Sequence, residues 1–336
     1  MRKKILITGI AGFIGHALAK QLINQGIEVV GIDNLSGDNE EMKRLRLADL
    51  GIGDADAAVE HPMLSADVSL LRFMSLDLAD ASCMAKLFAD EQFSCVVNLA
   101  GQAGVRRSAK DPYIYERSNL AGFLNVLEGC RHSDPAPLLL FASSSSVYGK
   151  RTKTPFSESD NTDCPASFYA ATKKANELMA FSYSSLFGLH AVALRFFSVY
   201  GPWGRPDMAP YIFLKAVKEG KPIPLFGDGT AKRDFTFIDD VIACISRIMS
   251  QPPVELFKVY NIGCSSPATT RDLISAIEQA VGKKADVATL PAQLGDVPAT
   301  MADMMRFTDD YGFSPHTTLS QGIEAFCRWY NEFYKC

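Results

Sequence analysis

Short apolar runs and amphipathic stretches alternate along the chain. Lys4–Thr8 reads as a strand, and after a glycine turn His16–Gln25 reads as a helix. Glu28–Ile32 is a second strand ending at Asp33, Leu71–Leu76 a third and Cys95–Leu99 a fourth. A helix from about Asn119 to His132 precedes strand five, Leu138–Ala142, and strand six spans Ala191–Phe197. Strands alternating with helices predict an α/β fold with a parallel, doubly wound sheet. The segment 37–66 is charged and irregular, and predicts a helix plus a surface loop with no assigned task; its length beyond the usual connection hints at a place near the mouth of a ligand site. Beyond strand six, the Gly/Pro-rich stretch Ser198–Asp207 marks departure from the first lobe. Helix Tyr211–Glu219, a strand around Pro224–Phe226 and the region from Thr269 onward predict a smaller lobe. The last helix, Leu319–Tyr334, carries Ile323, Phe326 and Tyr330 at packing positions.

Composition narrows the partners. A chain of 336 residues allows one large α/β unit or two joined lobes. The net charge of −4 argues against nucleic acid as the main partner. No apolar run approaches the ~20 residues of a membrane span. The N-terminus runs directly into a strand, so no signal peptide is expected and the cytoplasm is the expected location. The eight cysteines are scattered and form no C-x-x-C pair, which favours reduced structural thiols over disulfides or a zinc site; no metal is expected.

The candidate chemistry sits in the turns. Gly9-Ile-Ala-Gly12-Phe-Ile-Gly15 lies between strand one and its helix. Glycines there allow a tight turn, approach of a pyrophosphate and close helix–strand packing, while the helix start supplies N–H donors. The spacing is a variant of the simplest dinucleotide fingerprint, and an ordinary glycine turn is the alternative. Asp33 at the end of strand two suits ribose hydroxyls and would repel a 2′-phosphate, which favours NAD over NADP. Asp77-Leu78 is placed to flank an adenine, and the small residues of Ala100–Val105 let backbone approach a cofactor. On a helix, residues four apart share a face, so Tyr169 and Lys173 present a phenol and an ammonium side by side. A free tyrosine, with a pKa near ~10, is a poor base at neutral pH. A nearby cation favours the phenolate, and a hydroxyl from Ser143–Ser146 can donate to the same substrate oxygen. Tyr-x-x-x-Lys alone is common on helix surfaces; its weight comes from the rest of the chain.

Taken together, Gly9, Gly12, Gly15, Asp33, Asp77, Leu99-Ala100-Gly101, Ser144, Tyr169 and Lys173 resemble the extended short-chain dehydrogenase/reductase superfamily over nearly the whole chain. Within it the sequence is most similar to nucleotide-sugar epimerases of the UDP-glucuronate 4-epimerase type. The stretches Gly101–Arg106, Ser143–Gly149, Tyr169–Glu177, Arg195–Met208, Lys232–Asp240 and Gly295–Pro298 carry that likeness. Two places depart from it: Arg107 stands where an aromatic residue is common, and Ala302–Arg306 is looser than usual.

The resemblance implies a Rossmann-type sheet with a smaller C-terminal substrate-binding lobe. Residues 1–198 with about 236–263 would bind NAD; 199–235 and 264–336 would bind the nucleotide sugar. Implied cofactor contacts are Gly9, Gly12, Phe13, Ile14, Gly15, Asp33, Asn34, Asp77, Leu78, Leu99, Ala100, Gly101, Asn119, Tyr169, Lys173, Phe196 and Val199. Implied substrate contacts are Arg106, Ser144, Ser145, Ser146, Ser198, Arg205, Arg233 and Asp296. For Arg233 a surface salt bridge to Asp234 or Asp239 is the alternative. The resemblance also implies a UDP-sugar substrate, a homodimer through helices near 103–130 and 167–186, and a task in polysaccharide biosynthesis.

The expected reaction is inversion at C4 through a 4-keto sugar, with Tyr169 as base, Ser144 assisting and Lys173 tuning the tyrosine. Related decarboxylases carry a glutamate where this chain has Ser146, and related 4,6-dehydratases carry an Asp-Glu pair at Ser145-Ser146. The absence of an acid there favours epimerisation with the carboxylate kept, and Arg205 is a candidate to hold that carboxylate. A neutral UDP-hexose, a decarboxylase and a non-catalytic NAD-binding regulator are the alternatives.

Overall fold

Four of the five residues of Lys4–Thr8 (β1) are buried, as an apolar run inside a parallel sheet requires. The computed structural model describes residues 3–37, 39–56, 63–65, 69–291 and 297–335. The chain divides into two compact units. Unit 1 holds residues 1–149, 162–195 and 246–260, and unit 2 holds 150–161, 196–245 and 261–336. The sequence reading returned about 236–263 to the first lobe; the segment that clusters with unit 1 is Ser246–Tyr260, and helix Ile238–Ser250 is divided between the units.

Unit 1 is framed by one sheet. After β1 and helix α1 (Phe13–Asn24) come β2 (Glu28–Asp33), α2 (Glu40–Asp49), β3 (Met63–Leu64) and β4 (Leu71–Ser75). Then follow α3 (Ala81–Asp90), β5 (Cys95–Asn98), α4 (Val105–Lys110), α5 (Pro112–Tyr115), α6 (Gly122–His132), β6 (Leu138–Ser144), α7 (Phe168–Phe187) and β7 (Ala191–Phe196). The strand order is Phe257–Ile262, β7, β6, β5, β1, β2, β4, β3. β1 pairs in parallel with both β2 and β5, and β2 with β4 and β5 with β6 are also parallel. The short β3 is antiparallel to β4. The chain winds outward from β1 in one direction and then in the other, so the carboxyl ends of β1 and β5 flank the reversal point where ligands bind in such sheets. Leu6, Val30, Ile32, Phe123 and Phe141 fill the core.

Several element boundaries differ from the sequence reading, most by a residue or two. α1 begins at Phe13 rather than His16, because Gly12 is the extended residue before the helix. The helix expected from Asn119 starts earlier: Pro112–Tyr115 continues through a π-turn, Glu116–Ala121, and Asn119 lies inside that turn. β6 runs on through Ser143 and Ser144. Strand three ends at Ser75, one residue before the expected Leu76.

Unit 2 is built from small pieces. Strand Ser198–Tyr200 pairs in parallel with Phe235–Phe237, Ile223–Phe226 with Val287–Leu290, and Lys232–Arg233 is antiparallel to Ala268–Thr269. Asp234 organises the centre. Fully buried, its carboxylate accepts from the N–H groups of Cys264 (2.7 Å), Ser265 (3.1 Å) and Ala302 (2.9 Å) and from the Thr236 hydroxyl (3.1 Å). Helices Thr270–Val281 and Leu319–Tyr334 both start with capping boxes, at Thr269/Asp272 and Thr318/Gln321. The second packs Tyr330, Phe326, Trp329 and Phe333 around Tyr211 and Trp203.

Among the described residues no helix is long and apolar enough to cross a membrane, and no group of three or more His, Cys, Asp or Glu could hold a metal ion. Seven of the cysteines are described and none of them is in a disulfide.

Candidate active site

The glycine turn is a cradle that only small residues fit. Gly9 has φ +72°, and a methyl added there would lie 2.7 Å from the Ala100 nitrogen. At Gly15 it would lie 2.3 Å from the Gly9 carbonyl oxygen. The turns after β1 and β5 are thus locked together, and Thr8 completes the lock: its hydroxyl donates to Asn98 Oδ1 (2.6 Å) and accepts from the Ala100 N–H (3.2 Å). Gly12 provides no side-chain cap to α1, so the first-turn N–H groups at Phe13 and Ile14 have the setting that suits an anion. Asp33 is 6% exposed; its Oδ1 accepts from the Leu35 N–H and the Lys43 ammonium, both at 2.9 Å. Among the described residues Oδ2 has no protein donor. Asn34 is exposed and binds Ser36; Asp77 caps Ala79 and pairs with Arg117 (2.9 Å), with Leu78 buried beside it.

The residues expected to transfer the proton lie at the end of β6 and along α7. Ser167 caps α7 by accepting from the Ala170 N–H, which sets Tyr169 in the first turn and Lys173 one turn on. Lys173 is 5% exposed and donates to the Ala142 carbonyl at 2.9 Å. Its nitrogen lies 3.5 Å from a methyl placed at Gly101, so helix, strand end and β5 turn converge there. Burial lowers its pKa from 10.5 to about 8. Ser144 caps the single turn Ser145–Tyr148: its oxygen accepts from the Ser146 N–H at 3.2 Å, which leaves the hydroxyl proton to donate. Ser145 and Ser146 are half-buried in that turn, and no acid interrupts it.

Asn119 clamps this assembly. Its amide accepts from the Gln102 N–H (2.7 Å) and donates to the Gln102 carbonyl and to Thr172 Oγ1, both at 3.0 Å. Thr172 in turn donates to the Tyr169 carbonyl at 2.8 Å. One side chain therefore ties the loop after β5 to the turn between Tyr169 and Lys173.

The remaining predicted residues divide between the units. Leu99 and Ala100 line the β5 turn, Gly101 is exposed there, and Arg106 is exposed in the first turn of α4. Phe196, Ser198, Val199, Arg205 and Arg233 belong to unit 2. Ser198 donates its N–H to the Asp234 carbonyl, and Arg233 donates to the Lys232 carbonyl. The Asp234 carboxylate, one candidate partner for Arg233, is occupied by the four donors named above. Arg205 makes a two-pronged pair with Asp207 (3.0 and 2.6 Å). Asp296 lies outside the described residues.

The profile of the NAD dependent epimerase/dehydratase family matches residues 5–263. The chain belongs to this family. It is 43% identical to protein CapI of Staphylococcus aureus over 99% of both chains. It is 40% identical to UDP-glucuronate 4-epimerase 2 of Arabidopsis thaliana, covering 98% of this chain and 76% of that one. A crystal structure of UDP-glucuronic acid 4-epimerase from Bacillus cereus, in complex with UDP-glucuronic acid and NAD, superposes with a TM-score of 0.87 at 34% identity, covering 98% of this chain and 100% of that one.

The cofactor in the family's name fits the cradle on this chain's own geometry. A pyrophosphate suits the uncapped start of α1, and the donor-free Asp33 Oδ2 suits the hydroxyls of a ribose. Several residues that build the surroundings of Tyr169 and Lys173 had no assigned role in the sequence reading, although Glu177 and Arg195 stand at the ends of stretches that carry the resemblance. Tyr115, wholly buried, donates to the Ala103 and Gly104 carbonyls and sets its ring edge-on to Tyr169, 6.1 Å between centroids. Glu177, one turn past Lys173, accepts from Ser143 (2.6 Å) and from both prongs of Arg195 (2.9 and 2.8 Å). Arg195 also donates to the Tyr148 hydroxyl (3.0 Å), so the serine cluster rests on a buried polar network. The π-turn at Asn119 was one available signal, since such bulges concentrate at functional sites.

Proposed function

We propose that this protein is an NAD-dependent 4-epimerase that interconverts UDP-glucuronate and UDP-galacturonate. The observation that carries the reading is the convergence of Lys173, the Ala142 carbonyl and Gly101 at the carboxyl edge of the sheet, with Tyr169 one turn back on the same helix. The Arabidopsis and Bacillus proteins, similar over nearly the whole of this chain, bear the name of that activity.

The residues act on the sugar C4 hydroxyl. Tyr169, as phenolate, accepts the O4 proton and later returns it. Ser144 donates a hydrogen bond to the same oxygen, which strengthens as charge develops there. Lys173, a buried cation with a backbone carbonyl as its partner, stabilises the phenolate. Bound NAD would supply the hydride acceptor, and later the hydride donor, for C4. Inversion follows when the 4-keto sugar presents its other face to the cofactor before C4 regains its hydride, the O4 proton returning from Tyr169.

A 4-ketouronate has its carboxylate β to the ketone and loses carbon dioxide when the C5–C6 bond aligns with the carbonyl π system. Ser144, Ser145 and Ser146 offer hydroxyls without an acid that would repel the carboxylate, and Arg205 has the planar fork that matches it. Arg106, Ser198, Arg233 and Asp296 are assigned to the nucleotide sugar on the same reading. A neutral UDP-hexose is the second reading, and one observation favours it: the Arg205 fork is already engaged by Asp207. We assign the homodimer contact to α6 and α7, where Leu124, Leu178, Phe181 and Leu186 expose apolar surface.

Incubation with UDP-glucuronate and separation of products decides among the readings. UDP-galacturonate is the expected product. UDP-xylose would replace epimerisation with decarboxylation, and turnover of UDP-glucose alone would select the neutral hexose.

A further inference from the structure

The segment after β2 had no task in the sequence reading, yet one side of α2 is directed at the cofactor cradle. Its residues 43, 46 and 49 stand at successive intervals of three, the spacing that keeps side chains neighbours on a helix. Lys43 donates to Asp33 Oδ1 at 2.9 Å and to the Ser36 carbonyl at 3.0 Å. Arg46, 3% exposed, donates to the carbonyl of Ala11 inside the glycine turn at 3.1 Å. Asp49 bonds His16 in the first turns of α1 at 2.7 Å and Lys20 at 2.8 Å. Three side chains of one helix thus reach the ribose carboxylate, the pyrophosphate turn and the helix start.

The link between β2 and α2 extends the same design. Asn34–Gly37 reaches across to the loop after β5: Gln102 donates to the Ser36 hydroxyl at 3.4 Å, and a methyl at Gly37 would lie 3.1 Å from the Gln102 amide oxygen. Lys43 holds both ends of this strap, through Asp33 and through the Ser36 carbonyl. Lifting the strap breaks the Lys43–Ser36 bond, and rotating Asp33 breaks the Lys43–Asp33 bond.

We propose that α2 is a retention clamp for the dinucleotide, with Lys43 and Arg46 as positioning residues that slow its release. The inference rests on the epimerase reading, in which the cofactor ends each cycle as it began and gains nothing from exchange. Asp33 receives its orientation from Lys43 and the Leu35 N–H, and so presents Oδ2 to the ribose without first giving up rotational freedom.

The test reads cofactor residence rather than turnover. Purified holoprotein is mixed with a large excess of isotopically labelled NAD, and the exchange half-time of bound NAD is followed by rapid gel filtration. Lys43→Met is expected to shorten the half-time about tenfold, the scale of one charge-assisted hydrogen bond, a larger change than any lowering of the melting temperature of the cofactor-free protein, whose buried Asp33 loses its cation, accounts for. Lys43→Arg is expected to restore slow exchange. Arg46→Lys, which keeps a donor near the Ala11 carbonyl, is expected to fall between wild type and Lys43→Met. Unchanged exchange in Lys43→Met overturns the proposal, and so does faster exchange that follows a lowered melting temperature in equal measure. If the protein fails to epimerise UDP-glucuronate while Lys43→Met still sheds NAD quickly, the clamp stands and the substrate assignment falls.

Discussion

Two arginines in this chain grip carboxylates with nearly the same fork. Arg195 holds Glu177 in unit 1 at 2.9 and 2.8 Å, and Arg205 holds Asp207 in unit 2 at 3.0 and 2.6 Å. Their surroundings differ. Both partners of the first pair are 4% exposed, whereas those of the second are 35% and 46% exposed. A buried pair cannot exchange partners, because a charge left alone there has no water to turn to. An exposed pair separates at little cost and can accept another carboxylate in place of its own. The same geometry serves as framework in one unit and as a replaceable contact in the other; burial decides which.

The comparison breaks most directly at Glu177. Glu177→Ala strands Arg195 and should cost about 3–5 kcal/mol of stability, read from the urea midpoint; a loss under about 1 kcal/mol would mean that unit 1 does not depend on the pair. Tyr169→Phe comes next. It should lower turnover of UDP-glucuronate at least ~100-fold while bound NAD and the urea midpoint stay as in wild type, separating chemistry from framework. Near wild-type turnover would remove Tyr169 from the reaction.

Arg205→Ala should change stability by no more than about 1 kcal/mol, as expected for an exposed pair. Its effect belongs in selectivity: kcat/KM for UDP-glucuronate relative to UDP-glucose should fall about tenfold, the worth of a charged hydrogen bond. An unchanged ratio would leave the second fork without a catalytic task. The smallest effect is in pH dependence. Burial holds the Lys173 pKa at about 8, against 10.5 for the free side chain, so the cation proposed to support Tyr169 is lost as the pH rises past 8. Turnover should decline on that limb. Linkage runs the opposite way for folding: the folded pKa is depressed, so this group's stability contribution is fullest above 10.5 and is lost as the pH falls through about 8. Rate and urea midpoint measured from pH 7 to 10 should therefore diverge.

What the sequence disclosed follows the range of the forces involved. The glycine turn, Asp33 at a strand end, and Tyr169 with Lys173 on one helix face depend on neighbours within a few residues, and all were legible. The helix start at Phe13 was hidden because Gly12 counted toward the turn rather than as the residue before the helix. Lys43 and Arg46 looked like ordinary surface charges, since their partners Asp33 and Ala11 lie 10 and 35 positions away and only the fold brings them together. Tyr115 was silent for the same reason: its place beside Tyr169 depends on the π-turn at Glu116–Ala121, which carries no hydrophobic period of its own. In unit 2 the strands are two to four residues long, and apart from the one around Pro224–Phe226 they are too short for periodicity to announce them.

The carbonyl that receives Lys173 has a consequence beyond the tyrosine. A neutral acceptor leaves the ammonium's positive field uncancelled, and no carboxylate contributes to its shifted pKa. The resting protein therefore carries a standing electrostatic preference at that spot, and small negatively charged phenols should occupy it far more readily than their uncharged or cationic counterparts. A panel of nitrophenols graded by acidity, tested as competitors of the sugar nucleotide, would trace that preference directly.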